Sequence, residues 1–131
     1  MVITDSIGDL IIRLKNANRA GKESVVLSAS NLKEAVANAL MRAGFVSAVS
    51  RKGKDARQLE IMLAYKSDKS PKINEVERIS KTSRRIYKPS KEIKSFKNGF
   101  GAIILSTSKG ILSNKEALKE KIGGEVMFRI W

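Results

Sequence analysis

The apolar residues of this chain change their spacing several times, and that change limits the folds open to it. In TDSIGDLIIRLKNAN (4–18), Ile7, Leu10, Ile11 and Leu14 recur at helical spacing. Thr4 is the expected N-cap, with Asp5 in the first turn where a negative charge suits the helix dipole. Val25 to Leu27 then form a short strand-like run. NLKEAVANALMRAGF (31–45) returns to the helical period, with Asn31 and Glu34 spaced as a capping box and Gly44 at the expected end. FVSAVSR (45–51) and LEIMLAY (59–65) alternate apolar and polar residues as strands do, on either side of the charged turn KGKDAR. The first half therefore reads helix, strand, helix, strand, strand.

The polar stretch KSDKSPK (66–72), with Pro71, is the expected lobe boundary. Beyond it, INEVERIS (73–80) fits strand or helix, RRIYK (84–88) a short strand, and GAIILS (101–106) a buried strand. SNKEALKEKI (113–122) fits a short helix, capped by Ser113 and Glu116 and followed by Gly123. EVMFRIW (125–131) alternates as a last strand, with Trp131 expected to pack at a sheet end. The sum is an α+β fold, long enough for one domain or for two small α/β lobes in contact. On the two-lobe division, the N-terminal lobe spans 1–66, a linker 67–72, and a strand-rich C-terminal lobe with one short helix 73–131.

Hydrophobic residues make up 42% of the 131, so a core can form, but aromatics are only 5% and aliphatic packing must dominate. There is no Cys and no His. Disulfides, thiolate chemistry, Cys/His metal sites and imidazole catalysis are thereby excluded. No apolar run approaches a membrane span, and MVITDSIGDL has no basic stretch before an apolar core, so no secretory leader is expected. A cytoplasmic setting follows as the expectation.

Charge says more. The 26 Lys and Arg against 13 Asp and Glu give a net charge of +13. Residues 1–70 hold 12 basic against 7 acidic side chains, and 71–131 hold 14 against 6. Eight cations fall between residues 78 and 97 (Arg78, Lys81, Arg84, Arg85, Lys88, Lys91, Lys94 and Lys97), opposed only by Glu92. Like charges so crowded repel unless a partner screens them. A polyanion is that partner, nucleic acid before an anionic membrane. Tyr87 and Phe96 lie within the run, where either can stack on an unpaired base or serve the core.

ILSTSKGIL (104–112) sets three hydroxyls, a lysine and a glycine between two apolar runs. It is not a nucleotide loop of the Walker type, because Lys109 precedes Gly110 instead of following a glycine. GFGAII (99–104) has Ile104 where a dinucleotide fingerprint needs its third glycine. Nucleophilic catalysis would need Lys109 as a deprotonated base, which so cationic a chain opposes. The chain is read as a binding protein without catalytic residues, cofactor or metal. Ser106, Thr107 and Ser108 can donate to and accept from ribose, base edges or phosphate. Lys109 adds attraction and Gly110 close approach. The other reading of the loop is a strand-to-helix turn whose hydroxyls are local caps. GGE (123–125) is open in the same way, as a tight turn or as a wall that a polynucleotide can approach, with Glu125 accepting from a base.

NGFGAIILSTSKGILSNKEALKEKIGGEVMFRIW (98–131) resembles the C-terminal region of the eighth protein of the bacterial small ribosomal subunit. That family's pattern is N-G-L-G, a strand, S-T-S-K/R-G, a short helix opening near D-x-E-A, G-G-E and a final strand. RRIYK, TDSIGDLIIRLKNAN and LKEAVANALMRAGFV are similar to its upstream elements, so the likeness covers nearly the whole chain. The resemblance implies two α/β lobes and a role in binding a helical region of small-subunit (16S) ribosomal RNA, in support of subunit assembly in the cytoplasm. Partners are that RNA and neighbouring small-subunit proteins. Some bacterial members also repress translation by binding their own messenger RNA, and the alternative role is a regulator of translation outside the ribosome. It implies RNA contacts at Ser106, Thr107, Ser108, Lys109 and Gly110, an adjoining wall at Gly123, Gly124 and Glu125, and further contacts at Arg84, Arg85, Tyr87 and Lys88. Thr4, Asp5, Arg13 and Lys33 match positions facing a second RNA region. The chain departs from the pattern at Ser6, usually Pro, at KTSRR (81–85), usually K-P-G-x-R, and at Leu118, commonly Arg.

Overall fold

The computed structural model describes residues 6–80, 84–93 and 101–131. Thr4, Asp5, Lys81, Lys94, Phe96 and Lys97 lie outside the described residues. The chain forms two compact units, Met1–Asn74 and Glu75–Trp131. The architecture is α+β, as expected.

In the first unit, helix α1 (Ser6–Arg19) is followed by strand β1 (Ser24–Ser28), helix α2 (Asn31–Arg42) and strands β2 (Val46–Lys52) and β3 (Gln58–Leu63). The strands make one antiparallel sheet in the order β1-β3-β2. The central strand buries Leu59, Ile61 and Leu63 on alternate positions. Ile7, Leu10, Ile11 and Leu14 of α1, with Val36, Ala37, Ala39 and Leu40 of α2, supply the rest of this core. Asn18 is fully buried: its side-chain amide donates to the Ala64 carbonyl (3.1 Å) and accepts from Ile73 N–H (2.9 Å). It thereby fixes the chain leaving β3. Lys66–Pro71 is a closed turn, with Lys66 N–H on the Ser70 carbonyl and Tyr65 bridged to Pro71.

Helix ends differ from expectation in two places. The N-cap of α2 is Ser30, not Asn31: extended Ser30 accepts from Lys33 N–H (3.1 Å). Glu34 is instead drawn to Arg51 of β2 (3.1 Å), which also holds Asn31 (3.0 Å). The end of α2 is as expected, with Gly44 at φ 90° and the pair of bonds Gly44 N–H to Met41 and Phe45 N–H to Leu40 of a Schellman motif. The third helix, described next, makes the same motif through Lys121 (φ 56°), with Ile122 N–H on Ala117, so Gly123 is not its terminator.

The second unit has strands β4 (Val76–Arg78), β5 (Tyr87–Lys88), β6 (Ala102–Thr107) and β7 (Gly110–Ser113), helix α3 (Asn114–Glu120) and strand β8 (Gly124–Ile130). The sheet order is β4-β8-β6-β7, with β5 also on β8 and every pairing antiparallel. The ambiguous 73–80 stretch is thus a strand. Ser113 and Glu116 complete the expected capping box (3.0 and 3.3 Å). α3 packs through Ala117 on Leu105, Val126 and Ile93.

Candidate nucleic-acid interface

The hydroxyl stretch is not a strand-to-helix turn. β6 runs through Thr107 and reverses over Ser108 and Lys109. It returns as β7, which the sequence patterns did not reveal. Ser108 and Lys109 stand exposed at the tip. Thr107 locks the reversal: its hydroxyl donates to the Gly110 carbonyl (2.7 Å) and accepts from Lys109 N–H (3.1 Å). Gly110 takes a φ of 107°, which side-chain-bearing residues avoid. Lys109 Nζ is held by Glu120 Oε2 at the end of α3 (3.0 Å). Of the two residues at the reversal, Ser108 makes no side-chain hydrogen bond among the described residues, whereas Lys109 is held.

Strand pairing brings the other expected residues to this hairpin. Ser106 is opposite Ile111 on one side and Glu125 on the other, and Glu125 is opposite Tyr87. Residues opposed across antiparallel strands project on the same face. Tyr87, Glu125 and Ser106 therefore share one rung and one face. Tyr87 is 68% exposed, so the tyrosine of RRIYK is a surface residue and not core. Arg85 Nη1 reaches Glu125 Oε2 (3.0 Å), whose side chain is only 16% exposed.

The next rung explains the paired glycines. Lys88 faces Gly124 and Thr107 faces Gly110. A β-carbon on Gly123 would press into the Lys88 carbonyl oxygen and lie 2.7 Å from Pro89 Cα. One on Gly124 would press into the Ser106 carbonyl oxygen and lie 3.0 Å from Thr107 Cγ2. Glycine at 123 and 124 thus lets β5 and β6 close on the start of β8, beside the hydroxyl hairpin.

The basic segment is displayed by a residue that sequence reasoning passed over. Ser80 is fully buried; its Oγ accepts from Ile86 N–H (2.9 Å) and donates to the Ile86 carbonyl (3.3 Å). That pin fixes the chain where Arg84, Arg85 and Tyr87 emerge. Its only sequence signal is a lone serine ahead of a charge run. Arg84 and Lys88 also flank a cavity of about 570 Å³, floored by Ile79, Ile103 and Val126, with Arg78 and Arg129 on its walls.

Arg13 and Lys33 belong to the first unit and are engaged there. Arg13 pairs with Asp9 (3.3 Å) on α1, and Lys33 Nζ donates to the Ser28 hydroxyl (3.0 Å) and carbonyl (3.1 Å). Among the described residues no His, Cys, Asp or Glu cluster is suited to a metal ion, and no helix is long and apolar enough to cross a membrane.

Hydroxyls, an exposed aromatic ring and cations on a strand-built face are the chemistry of a nucleic-acid reader. The model of one family, ribosomal protein S8, matches residues 5–131. The chain belongs to the ribosomal protein S8 family. It is 43% identical over 136 residues to small ribosomal subunit protein uS8 of Geobacter sulfurreducens, with both chains covered in full. It is 41% identical over 133 residues to the uS8 of Chloroflexus aurantiacus and 40% identical over 132 residues to that of Mycoplasmopsis agalactiae, each again covering 100% of both chains. The family is one of structural ribosomal proteins. Leu118 is 40% exposed on α3.

Proposed function

We propose that this protein is a constituent of the small ribosomal subunit that binds a helical region of 16S ribosomal RNA and supports subunit assembly. Its contact surface in that reading is the hydroxyl hairpin with the rung beside it. The observation that carries the proposal is the register that sets exposed Tyr87, Glu125 and Ser106 side by side, next to a turn locked by Thr107. A rigid surface of this kind reads an irregular RNA contour, and no group in it is poised for turnover. Ser106 and Ser108 supply 2′-OH and base-edge bonds, Lys109 a phosphate contact, and Tyr87 a stacking face. Thr107, Gly110, Gly123 and Gly124 act by holding the shape. Arg84, Arg85 and Lys88 supply long-range attraction. Arg13 and Lys33, with Thr4 and Asp5, belong to a second RNA region, and neighbouring small-subunit proteins complete the surroundings.

The test is crosslinking in cell lysate, followed by sequencing of the attached RNA. Reads concentrated on one helical segment of small-subunit RNA are expected; an even scatter over messenger RNAs would favour a regulator outside the ribosome. On the recovered fragment, affinity falls by about 0.9 log units per log unit of salt for each phosphate neutralised. A flat salt response would remove the electrostatic part of the proposal.

A further inference from the structure

The turn's one cation is not free. Lys109 Nζ lies 3.0 Å from Glu120 Oε2, with the two side chains 60% and 47% exposed. An exposed pair of this kind adds little to folding. Its effect on binding is larger. Lys88, Lys119 and Lys121 carry no ion pair among the described residues, whereas Lys109 at the tip and Arg85 on the rung beside it each meet a carboxylate. Any polyanion that reaches the tip meets Glu120 as well as Lys109. A generic duplex gains almost nothing there except phosphate contact, and the carboxylate cancels most of that gain. The cognate contour also engages Ser106 and Ser108. It gains from a Lys109 whose direction is already set along α3, with further ammonium N–H groups still to donate.

We infer that Glu120 is a specificity-determining positioning residue: it aims Lys109 and suppresses binding of unrelated polyanions at the tip. The inference rests on the proposed contact between this turn and RNA.

The experiment uses the full chain and two RNAs: the small-subunit fragment recovered by crosslinking and an unrelated duplex of equal length. Glu120→Gln, Glu120→Asp and Lys109→Gln are titrated against both at several salt concentrations. Glu120→Gln is expected to tighten the unrelated duplex by up to about fivefold, the weight of one exposed ion pair. Its salt slope on that duplex steepens by about one unit. The cognate fragment gains less, so the affinity ratio falls, by up to about threefold. Glu120→Asp restores most of the ratio. Equal changes on both RNAs, or an unchanged slope, overturn the inference while leaving the contact intact, provided that Lys109→Gln weakens the cognate complex. If Lys109→Gln alters neither RNA, the turn is outside the interface and both readings fall.

Discussion

Two of the charged turns among the described residues, β2–β3 and β6–β7, are held in different ways. The β2–β3 turn carries more charge, with Lys52, Lys54, Asp55 and Arg57 in succession. It bends through a short 3-10 turn with Gly53 (φ 84°), Asp55 (φ 58°) and Ala56 (φ 52°) all in the left-handed region. Its ion pairs close on themselves, Asp55 with Arg57 (3.8 Å) and Lys52 with Glu60 (3.1 Å). The β6–β7 turn has a single lysine, yet its reversal takes two residues, locked by one threonine hydroxyl. It is flanked by rungs that add a tyrosine, a carboxylate and two glycines. Density of charge does not separate the two turns; a short reversal locked by one hydroxyl, with a second hydroxyl left unbonded at its tip, does.

The largest effect expected from that contrast is on folding. Gly124→Ala puts a methyl group against the Ser106 backbone, which cannot turn aside, and costs about 3 kcal/mol or more. Gly53→Ala meets only the flexible Gln58 side chain (3.2 Å) and costs about 1–3 kcal/mol for a backbone conformation (φ 84°, ψ 178°) that is essentially glycine's alone. Denaturant midpoints at constant slope measure both. Equal costs would break the comparison, because close backbone packing would then not distinguish the two turns.

Next comes Ser108→Ala, which removes the turn's unspent hydroxyl. Folding is expected to be unchanged, and binding of the cognate RNA fragment to weaken by about 1–3 kcal/mol if that hydroxyl is sealed against RNA. Calorimetric titration with an unchanged unfolding midpoint checks it. Unaltered affinity would make Ser108 a spacer and move the reading function onto Ser106 and the rung.

The sequence made the elements legible and the rungs illegible. Helical and strand periods placed α1, α2, β2, β3, β6 and β8, because each buries one face and must repeat its apolar residues accordingly. β7 escaped because Gly110–Ser113 is four residues long and runs straight into a helix cap. Ser30 and Asn31 are equally good caps on paper, and Arg51, far along the chain, decides by drawing Asn31 and Glu34 away. The hydroxyl hairpin stood out as a motif. Its link to Tyr87 and Glu125 depends on register between distant strands, and its tie to Glu120 on a contact across α3, neither of which has a local signature. The paired glycines were visible, but their reason was carbonyl approach from two neighbouring strands.

A smaller effect separates the helix ends. α2 ends with glycine in the left-handed position, whereas α3 places Lys121 there. Lys121→Gly is expected to stabilise the protein by about 1 kcal/mol, the cost a side chain bears in that region. A rise in unfolding midpoint confirms it. A fall would mean that the Lys121 side chain holds α3 by contacts that outweigh its strained backbone.

The smallest effect concerns Asp68, in the closed turn of the first unit, where charge is again satisfied locally. Its carboxylate accepts from the Ser70 hydroxyl (2.5 Å) and the Ser70 N–H (3.0 Å), and these bonds, the hydroxyl first, hold its pKa below the ordinary 3.8. A group whose folded pKa is depressed stabilises the fold at pH values above its unfolded pKa. That contribution is lost as the pH falls through the folded value. Asp68→Asn should therefore make a small difference to stability at neutral pH, and the difference should shrink as acid is added below about pH 4. Unfolding midpoints of the two proteins across that range must converge. If they stay parallel, the Asp68 turn is held by its backbone bonds alone, and the contrast between self-satisfied turns and the hydroxyl hairpin rests on the β2–β3 turn only.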